Sequence, residues 1–521
     1  MPSEQALFAE AVAEHRQGRL AAAQGLYRQV LALAPGHADA LHRLGATYLQ
    51  QNDARQAAEL IGQALALNPG LAEAHANMGN ALSALRRHEE AAAHFQHALG
   101  HMPKSPRLYA SLGLALQELR RYPEAAAEYE KALALKPDYA EAHANLGAVL
   151  QTMKRFDDAI AHYEKALALK PDYAEARVNL GTALHSLNRD DAAVAEFDRA
   201  LAARPGYKAA EYYKAFALLR HSKLAEGWRL WESRWGAFPT RPMAEIDRPL
   251  WPGDTPVRGR KLLIQYEITL GLGDAIQLAR YVPVLEALGA ECWVQAPDTL
   301  RDLFARSLKR AHVVAPQDCP AAVDCRILFF SLPLALKTFS DAAIPGACPY
   351  LMPDAAKAAR WRTRLDATKP RIGLIWRSGK DIFDRSATLD DMRPLLANPG
   401  VQIVGLQKDV TPAELDRLAR YPNALSCGQF LDDMDETAAL MAAVDLMISV
   451  DTGPVHLAGA LARPTWLMLS HAPAWRWLVG RDDSPWYPTM RLFRQQAPGD
   501  WQGVVAGIDA ALRDFIAAAK R

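Results

Sequence analysis

Long apolar runs are missing from this chain: nowhere in its 521 residues do about 18 uncharged apolar residues follow one another, the length a membrane-spanning helix needs. Nor does its first stretch, MPSEQALFAEAVAEHRQGRL, lead from basic residues into an apolar core as a secretory signal does. A cytoplasmic location and no transmembrane segment are expected. Cysteine is scarce, at five (Cys292, Cys319, Cys325, Cys348 and Cys427), odd in number and without a C-x-x-C pair. That excludes a disulfide framework or a zinc knot and predicts reduced, mostly buried thiols. An excess of either charge is also absent, with 60 Lys and Arg against 59 Asp and Glu, so bulk attraction to nucleic acid is not expected. The apolar fraction of 50% is that of a globular protein, and the length exceeds one hydrophobic core.

What the chain has in quantity is a period. Pro35, Pro69, Pro103, Pro137, Pro171 and Pro205 stand 34 residues apart. With these prolines counted as position 32, position 8 is always small: Ala11, Gly45, Gly79, Gly113, Gly147 and Gly181. Position 20 is always alanine (Ala23, Ala57, Ala91, Ala125, Ala159, Ala193), and position 24 is large and apolar (Tyr27, Ile61, Phe95, Tyr129, Tyr163, Phe197). Positions 4, 7, 8 and 11 share one face of a first helix, and positions 20, 24 and 27 one face of a second. Small residues at 8 and 20 let the helices approach, the residue at 24 fills the space beside them, and proline stops the second helix for want of an amide hydrogen. Six such units resemble tetratricopeptide repeats and predict an α-solenoid over residues 4–207. A degenerate seventh unit over 208–235, with Gly227 and Trp231 at positions 20 and 24, reads as a cap, and 208–245 as cap and linker.

Position 6 lies about 200° around the first helix from positions 4 and 8, so it faces away from the repeat's own core. It holds Asn77, Asn145 and Asn179, interrupted by Arg43 and Ser111. In tetratricopeptide superhelices the first helices line the concave groove, where these asparagines would form a broken ladder. It resembles the asparagine ladder of the O-linked N-acetylglucosamine transferases, which implies a protein acceptor or partner in the groove. An amide both gives and takes hydrogen bonds with a peptide backbone. The competing reading is that asparagine is simply the common residue at this position.

Beyond a Pro/Gly-containing link, IDRPLWPGDTPVRG (246–259), helical periodicity gives way to alternation. Strands are expected at KLLIQYE (261–267), ECWVQAP (291–297), RILFF (326–330), RIGLIW (371–376), VQIVGL (401–406), DLMISV (445–450) and TWLML (465–469), with a helix over 273–289. Short apolar strands between helices imply parallel sheets covered on both faces. Two blocks predict two Rossmann-like, doubly wound α/β domains, 246–355 and 356–521, with ligand bound beyond the C-terminal strand ends.

Two motifs sit at such ends. GLGDAIQ (271–277) follows a strand and opens a helix, yet Ile276 replaces the third glycine of a dinucleotide fingerprint and no Walker lysine follows. Gly271 and Gly273 permit a tight turn, leaving Asp274 either aimed into the cleft or merely stabilising the helix dipole. In SVDTGPVHLAGALARP (449–464) the strand ends at Asp451, and Pro454 suits a first helical turn. Amides around Thr452, Gly453 and Val455 would meet an anion there, with His456 as a further donor. A capped helix start with a structural histidine fits the same letters.

D-T-G-x-x-H-L-A-G-A-L paired with an upstream G-D resembles the bacterial heptosyltransferases, glycosyltransferases of the two-domain GT-B fold. Residues 250–519 also resemble the domains that follow tetratricopeptide repeats in many bacterial glycosyltransferase-like proteins, through W-x-G, G-L-G-D-x-I-Q-x-A-R-Y and WRWLVGRDDSPWYPTMRLFRQ (475–495). The resemblance implies Asp274 as general base, Arg385 (with Lys380 as a rival) as the basic residue, and Asp451, Thr452, Gly453 and His456 as a donor-pyrophosphate loop. Gly273 and Gln407, at a strand tip where a nucleoside could sit, complete the expected donor site. DDMD (432–435) precedes a helix and reads as N-capping rather than as a metal motif, so inverting, metal-independent transfer is expected, with a nucleotide sugar as substrate and no cofactor. Trp475, Trp477 and Trp486 are read as packing between the halves.

The pattern is also broken. Ile268, Thr269 and Leu270 replace the expected Q-G after Glu267, and RSGKDIFDRS (377–386) lacks an expected histidine. Three functions follow: a transferase acting on Ser or Thr of a protein held by the repeats, flagellin being one acceptor by analogy; a non-catalytic adaptor; or a transferase acting on lipopolysaccharide or another glycan.

Overall fold

The computed structural model describes residues 3–237, 246–267, 271–379 and 385–519. The chain divides into two compact units, one of residues 1–184 with 202–204 and one of 185–201 with 205–521.

In the first unit, helices pair as the period predicts: Glu4–Arg16 with Leu20–Leu33, Ala38–Gln50 with Ala54–Leu67, Ala72–Ala84 with His88–His101, Pro106–Glu118 with Tyr122–Leu135, and Ala140–Thr152 with Phe156–Leu169. The position-20 alanines from Ala23 to Ala159 have no exposed surface, and Tyr27, Ile61, Tyr129 and Tyr163 at position 24 have none either. The glycine at position 8 is sterically required: a Cβ on Gly79 would stand 2.5 Å from the Phe95 ring, and one on Gly147 2.7 Å from the Tyr163 ring. Each pair turns through position 15 with left-handed backbone, at Gly18, Asn52, Arg86, Arg120 and Lys154. The next amide then reaches back five residues, as from Asp53 to the Tyr48 carbonyl at 2.9 Å and from Arg121 to that of Leu116 at 2.9 Å, closing the helix end.

The second unit opens with the later part of the sixth repeat and the seventh. The latter forms Lys208–Arg220 and Leu224–Trp231, turning through Ser222 in the same left-handed conformation. Its Trp228 ring lies 5.1 Å from Trp475 and its Trp231 ring 5.1 Å from Phe330, so it shares a core with the α/β part that follows.

That part holds two parallel sheets. The first comprises β1 (Lys261–Gln265), β2 (Glu291–Gln295), β3 (His312–Val314) and β4 (Cys325–Leu328), in the order β3-β2-β1-β4. The second comprises β5 (Arg371–Ile375), β6 (Gln402–Gly405), β7 (Ala424–Ser426), β8 (Leu446–Val450), β9 (Thr465–Leu469) and β10 (Met490–Arg494), in the order β10-β9-β8-β5-β6-β7. Strand order therefore reverses between β1 and β4 and again between β5 and β8, and crevices at such switch points receive ligands in open α/β sheets. The chain is an α-solenoid followed by two doubly wound α/β sheets.

Three details differ from expectation. The helix expected over 273–289 is Leu272–Leu278, a 3-10 turn Ala279–Tyr281 and Val282–Ala287, because Pro283 cannot continue an α-helical hydrogen-bond ladder. Strand β1 stops at Gln265 rather than at Glu267. Strands β3, β7 and β10 had not been anticipated: the first two are three residues long and the third carries Arg491 and Arg494. All five cysteines are free, three of them buried. Among the described residues no helix is long and apolar enough to cross a membrane, and no group of three His, Cys, Asp or Glu side chains is placed to hold a metal ion.

Candidate functional site

Two helix starts meet in the second unit, one after β1 and one after β8. Gly271 caps Leu272–Leu278, and the carboxylate of Asp274, three residues on, accepts from the Gly271 amide at 3.2 Å through Oδ2. Thr452 caps Gly453–Ala460 with extended backbone and Pro454 in the first turn. A Cβ on Gly273 would stand 3.2 Å from Gly453 Cα and 2.5 Å from His456 Cδ2, so two glycines let the helix starts touch. Gly273 thus forms the joint between the halves.

Asp274 does not stand alone. Its Oδ1 pairs with Arg476 Nη2, and Arg476 Nε donates to Gln277 Oε1 at 3.1 Å, one turn along the same helix. Arg476 occupies the 3-10 turn Trp475–Trp477 after β9, whose two indoles are buried on either side of it. Sequence reasoning had quoted this WRW block only as a family feature and had assigned no role to Arg476 or Gln277. The tryptophans pack as expected: Trp475 lies 5.8 Å from Trp486, and both are almost wholly buried. Between them and the first half sits buried Arg280, stacked between Tyr350 and Tyr487 and donating to the Trp486 carbonyl.

His456 differs from its expected place beside an anion. It is buried, stacks on Trp477 at 5.2 Å, and bonds through Nδ1 to the Tyr487 hydroxyl at 2.9 Å. Burial, followed by the charges of Arg476, Arg280 and Arg385, holds its pKa well below the ordinary value, so it is neutral at pH 7. Of the amides expected to converge on an anion, that of Val455 is committed to the Thr452 carbonyl at 3.1 Å.

Asp451 follows β8, 3% exposed, with both carboxylate oxygens buried and without a hydrogen bond among the described residues. Arg385 Nη1 lies 3.7 Å from its Oδ2, an ion pair rather than a hydrogen bond. Lys380 falls outside the described residues. Gln407, beyond β6, is buried and accepts from the Arg377 amide at 3.0 Å through Oε1. Gln295 does the same for the Tyr266 amide at 2.9 Å in the first sheet, so Gln407 also fixes the strand tip. In DDMD, Asp433 caps the Glu436 amide at 2.7 Å, while Asp435 pairs with Arg306 and with Lys357 at 2.8 Å. Both acids of the would-be metal motif are committed elsewhere.

The position-6 asparagines Asn77, Asn145 and Asn179 are half-buried. Asn77 exchanges a hydrogen bond with His42 Nε2 of the preceding repeat at 2.9 Å. Behind Asn179, Tyr163 donates to Gln151 at 2.9 Å, and Gln151 donates to Thr182 at 3.0 Å.

Comparison with known proteins matches these two regions separately. Tetratricopeptide repeat models match residues 14–76, 48–116, 140–173 and 174–207, and a TPR repeat model 117–154. The model described as glycosyltransferase family 9 (heptosyltransferase) matches residues 399–467, the span from β6 to β9. The chain carries tetratricopeptide repeats on its N-terminal side, and its C-terminal α/β part is similar to glycosyltransferase family 9 over residues 399–467. Protein FlbA of Caulobacter vibrioides is 31% identical over 337 residues, which is 59% of this chain and 55% of that protein. The chain therefore spans about half the length of this curated relative. Solved structures are similar to part of the chain: YrrB, described as a TPR protein with an unusual peptide-binding site (21% identity, 36% of this chain, 97% of that one, TM-score 0.33), and PilF of Pseudomonas aeruginosa (20%, 41%, 96%, TM-score 0.37).

Proposed function

We propose that the chain is a glycosyltransferase, transferring a sugar from a nucleotide-sugar donor to a Ser or Thr hydroxyl of a protein held by the repeats. The observation that supports this best is the meeting of the two helix starts at Gly273 and Gly453: the one carrying Asp274 touches the one that follows Asp451, the ion-pair partner of Arg385, and Asp451 and Gly453 lie within residues 399–467, the span similar to glycosyltransferase family 9. In this reading Asp274 takes the acceptor proton. Arg385 and the Thr452–Gly453 helix start offset the charge of the departing diphosphate. The Asp451 oxygens, ion-paired with Arg385 but without a hydrogen bond among the described residues, meet donor hydroxyls, since a carboxylate repels phosphate and a buried one without hydrogen bonds is costly.

A single displacement at the anomeric carbon then inverts its configuration, and Arg385 takes the place a metal ion holds elsewhere. The cytoplasm, where nucleotide sugars are made, is the proposed location. The adaptor reading draws support from Asp274, both of whose oxygens already have partners.

Intact-mass spectra of cellular proteins from strains carrying the wild type or Asp274→Ala decide between them. Hexose-type mass additions present with wild type and lost in the variant are expected. Equal additions in both would remove Asp274 as base, and additions in neither would leave the adaptor.

A further inference from the structure

We propose that Arg476 is the positioning residue for Asp274, and that Gln277 and the flanking tryptophans exist at this site to aim it. The inference rests on Asp274 being the base of a transferase and assigns a role to residues outside that mechanism.

A carboxylate near a helix start rotates freely about two bonds unless its oxygens are held. Asp274 is held at two points of different origin. Its Oδ2 takes the Gly271 amide at 3.2 Å, a contact local to its own turn. Its Oδ1 takes Arg476 Nη2, a contact from the opposite half, 202 residues further along the chain. The guanidinium is itself aimed: Nε donates to Gln277 Oε1 at 3.1 Å, so one planar fork grips two side chains of one helix face, three residues apart. Lysine, with a single nitrogen, cannot reproduce that grip.

The loop that presents Arg476 is equally fixed. Trp475 packs at 5.1 Å from Trp228 and 5.8 Å from Trp486, and Trp477 stacks at 5.2 Å on His456. With an indole buried on each side, the residue between has one direction open, toward the first half. Buried Gln277 has no partner for its Nε2 among the described residues while its Oε1 serves Arg476, the arrangement of an amide placed for one bond.

Arg476 touches no reacting atom in this scheme. It leaves the second lone pair of Oδ1 and the outer face of Oδ2 for the acceptor hydroxyl, and it fixes where they point. Because it reaches across from the other half, the base is in register only when the two helix starts are together. Proton transfer needs heavy atoms within hydrogen-bond reach, and displacement of a catalytic group by about 1 Å costs on the order of 100-fold in rate.

The test uses the full chain with radiolabelled UDP-, GDP-, ADP- and CMP-sugars offered to proteins of an extract from cells lacking it. Initial rates are compared for wild type, Asp274→Ala, Arg476→Gln, Arg476→Lys and Gln277→Leu, with melting temperatures alongside. Expected are a kcat reduced about 100-fold in Arg476→Gln with donor KM held within about threefold, partial recovery in Arg476→Lys, and an intermediate loss in Gln277→Leu. An Arg476→Gln rate near wild type beside an inactive Asp274→Ala overturns the positioning role and leaves the base in place. A loss in Arg476→Gln carried by donor KM alone also overturns it, since that assigns the arginine to the donor. Full activity of Asp274→Ala removes Asp274 as the base and this role with it, and no labelling by wild type with any donor removes the transferase reading itself. Arg476→Lys guards against misfolding, because a merely structural loss would not recover with charge alone.

Discussion

Gly273 carries the tightest steric constraint at the joint. A methyl group there would lie 2.5 Å from His456 Cδ2, well inside contact distance. The ring cannot swing aside, because Trp477 stacks on one face and the Tyr487 hydroxyl holds Nδ1 at 2.9 Å. The Gly453 backbone at 3.2 Å closes the other direction. Gly273→Ala must therefore push the two helix starts apart, an overpacking cost of about 1–3 kcal/mol. Thermal unfolding should move down by several degrees, and labelling activity should fall more than this loss of stability explains, since Asp274 and Arg476 separate along with the helices. A variant with unchanged melting temperature and activity would show that the halves are not held in this contact.

At the scale of elements, the repeat period was legible because each repeated residue has one steric task. Small residues at position 8 and rings at position 24 are two sides of one contact, so their letters recur. The left-handed turn at position 15 was not legible, since Gly18 and Asn52 suit that conformation but Arg86, Arg120 and Lys154 are long basic residues with no preference for it. The backbone bonds that close the turn accept any side chain. The same distinction divides the α/β part. Strands β1, β2, β5, β6, β8 and β9 are nearly continuous apolar runs and could be read; β3 and β7 are short and half-exposed. At the site, Asp274 and Asp451 could be placed at strand-to-helix turns from motif spacing and Arg385 only through the family resemblance, whereas the partnership of Asp274 with Arg476 depends on a crossing between sheets that no local pattern encodes.

Two helix pairs add a feature the period alone would not suggest. His75 Nδ1 faces His94 Nδ1 at 2.8 Å, and His143 Nδ1 faces His162 Nδ1 at 3.0 Å, while the other nitrogens of His75 and His143 bond the Pro69 and Pro137 carbonyls. Repeat two carries Leu41 and Leu60 at the same positions. A carbonyl takes the proton on Nε2, so Nδ1 of the first ring accepts and that of the second donates. Burial first, then His143 and Lys165, lowers the His162 pKa from 6.5 to about 4, with Asp158 opposing and Arg155 adding. His75 and His94 are likewise lowered, burial leading. The unfolded chain then binds more protons than the folded one below pH 6.5, so this stability is complete above that pH and is lost as pH falls toward 4. Melting of the full chain should occur at lower temperature at pH 5 than at pH 7. His143→Leu with His162→Leu, which copies repeat two, should shrink that difference, and an unchanged difference would exclude the pair as its source.

For the whole molecule, the proposal that the repeats hold the acceptor makes a demand that neither half makes alone. A transferase with an independent groove should lose protein acceptors without losing its donor chemistry when the groove is damaged. Asn77, Asn145 and Asn179 suit the purpose because they are half-buried and belong to three different repeats, so no single repeat is dismantled by replacing them. Their contributions will differ: Asn77 already shares a hydrogen bond with His42, and Asn145 lies against the Tyr129 hydroxyl, so a client must compete for both. Each amide offers about 1 kcal/mol to a bound backbone, and three removed together amount to roughly 3 kcal/mol, or on the order of 100-fold in acceptor KM. In the triple Asn77→Ala, Asn145→Ala, Asn179→Ala chain, labelling of protein should fall by that factor at low acceptor concentration, while slow hydrolysis of the same nucleotide sugar stays within about twofold of wild type. Protein labelling that survives intact would place the acceptor elsewhere and return the repeats to docking a partner, with the glycan-directed activity as the reading that then fits. Loss of donor hydrolysis as well would mean that the groove residues act through the fold, and the comparison with single substitutions at Asn179, where Gln151 and Thr182 brace the neighbouring backbone, would show which repeat carries that effect.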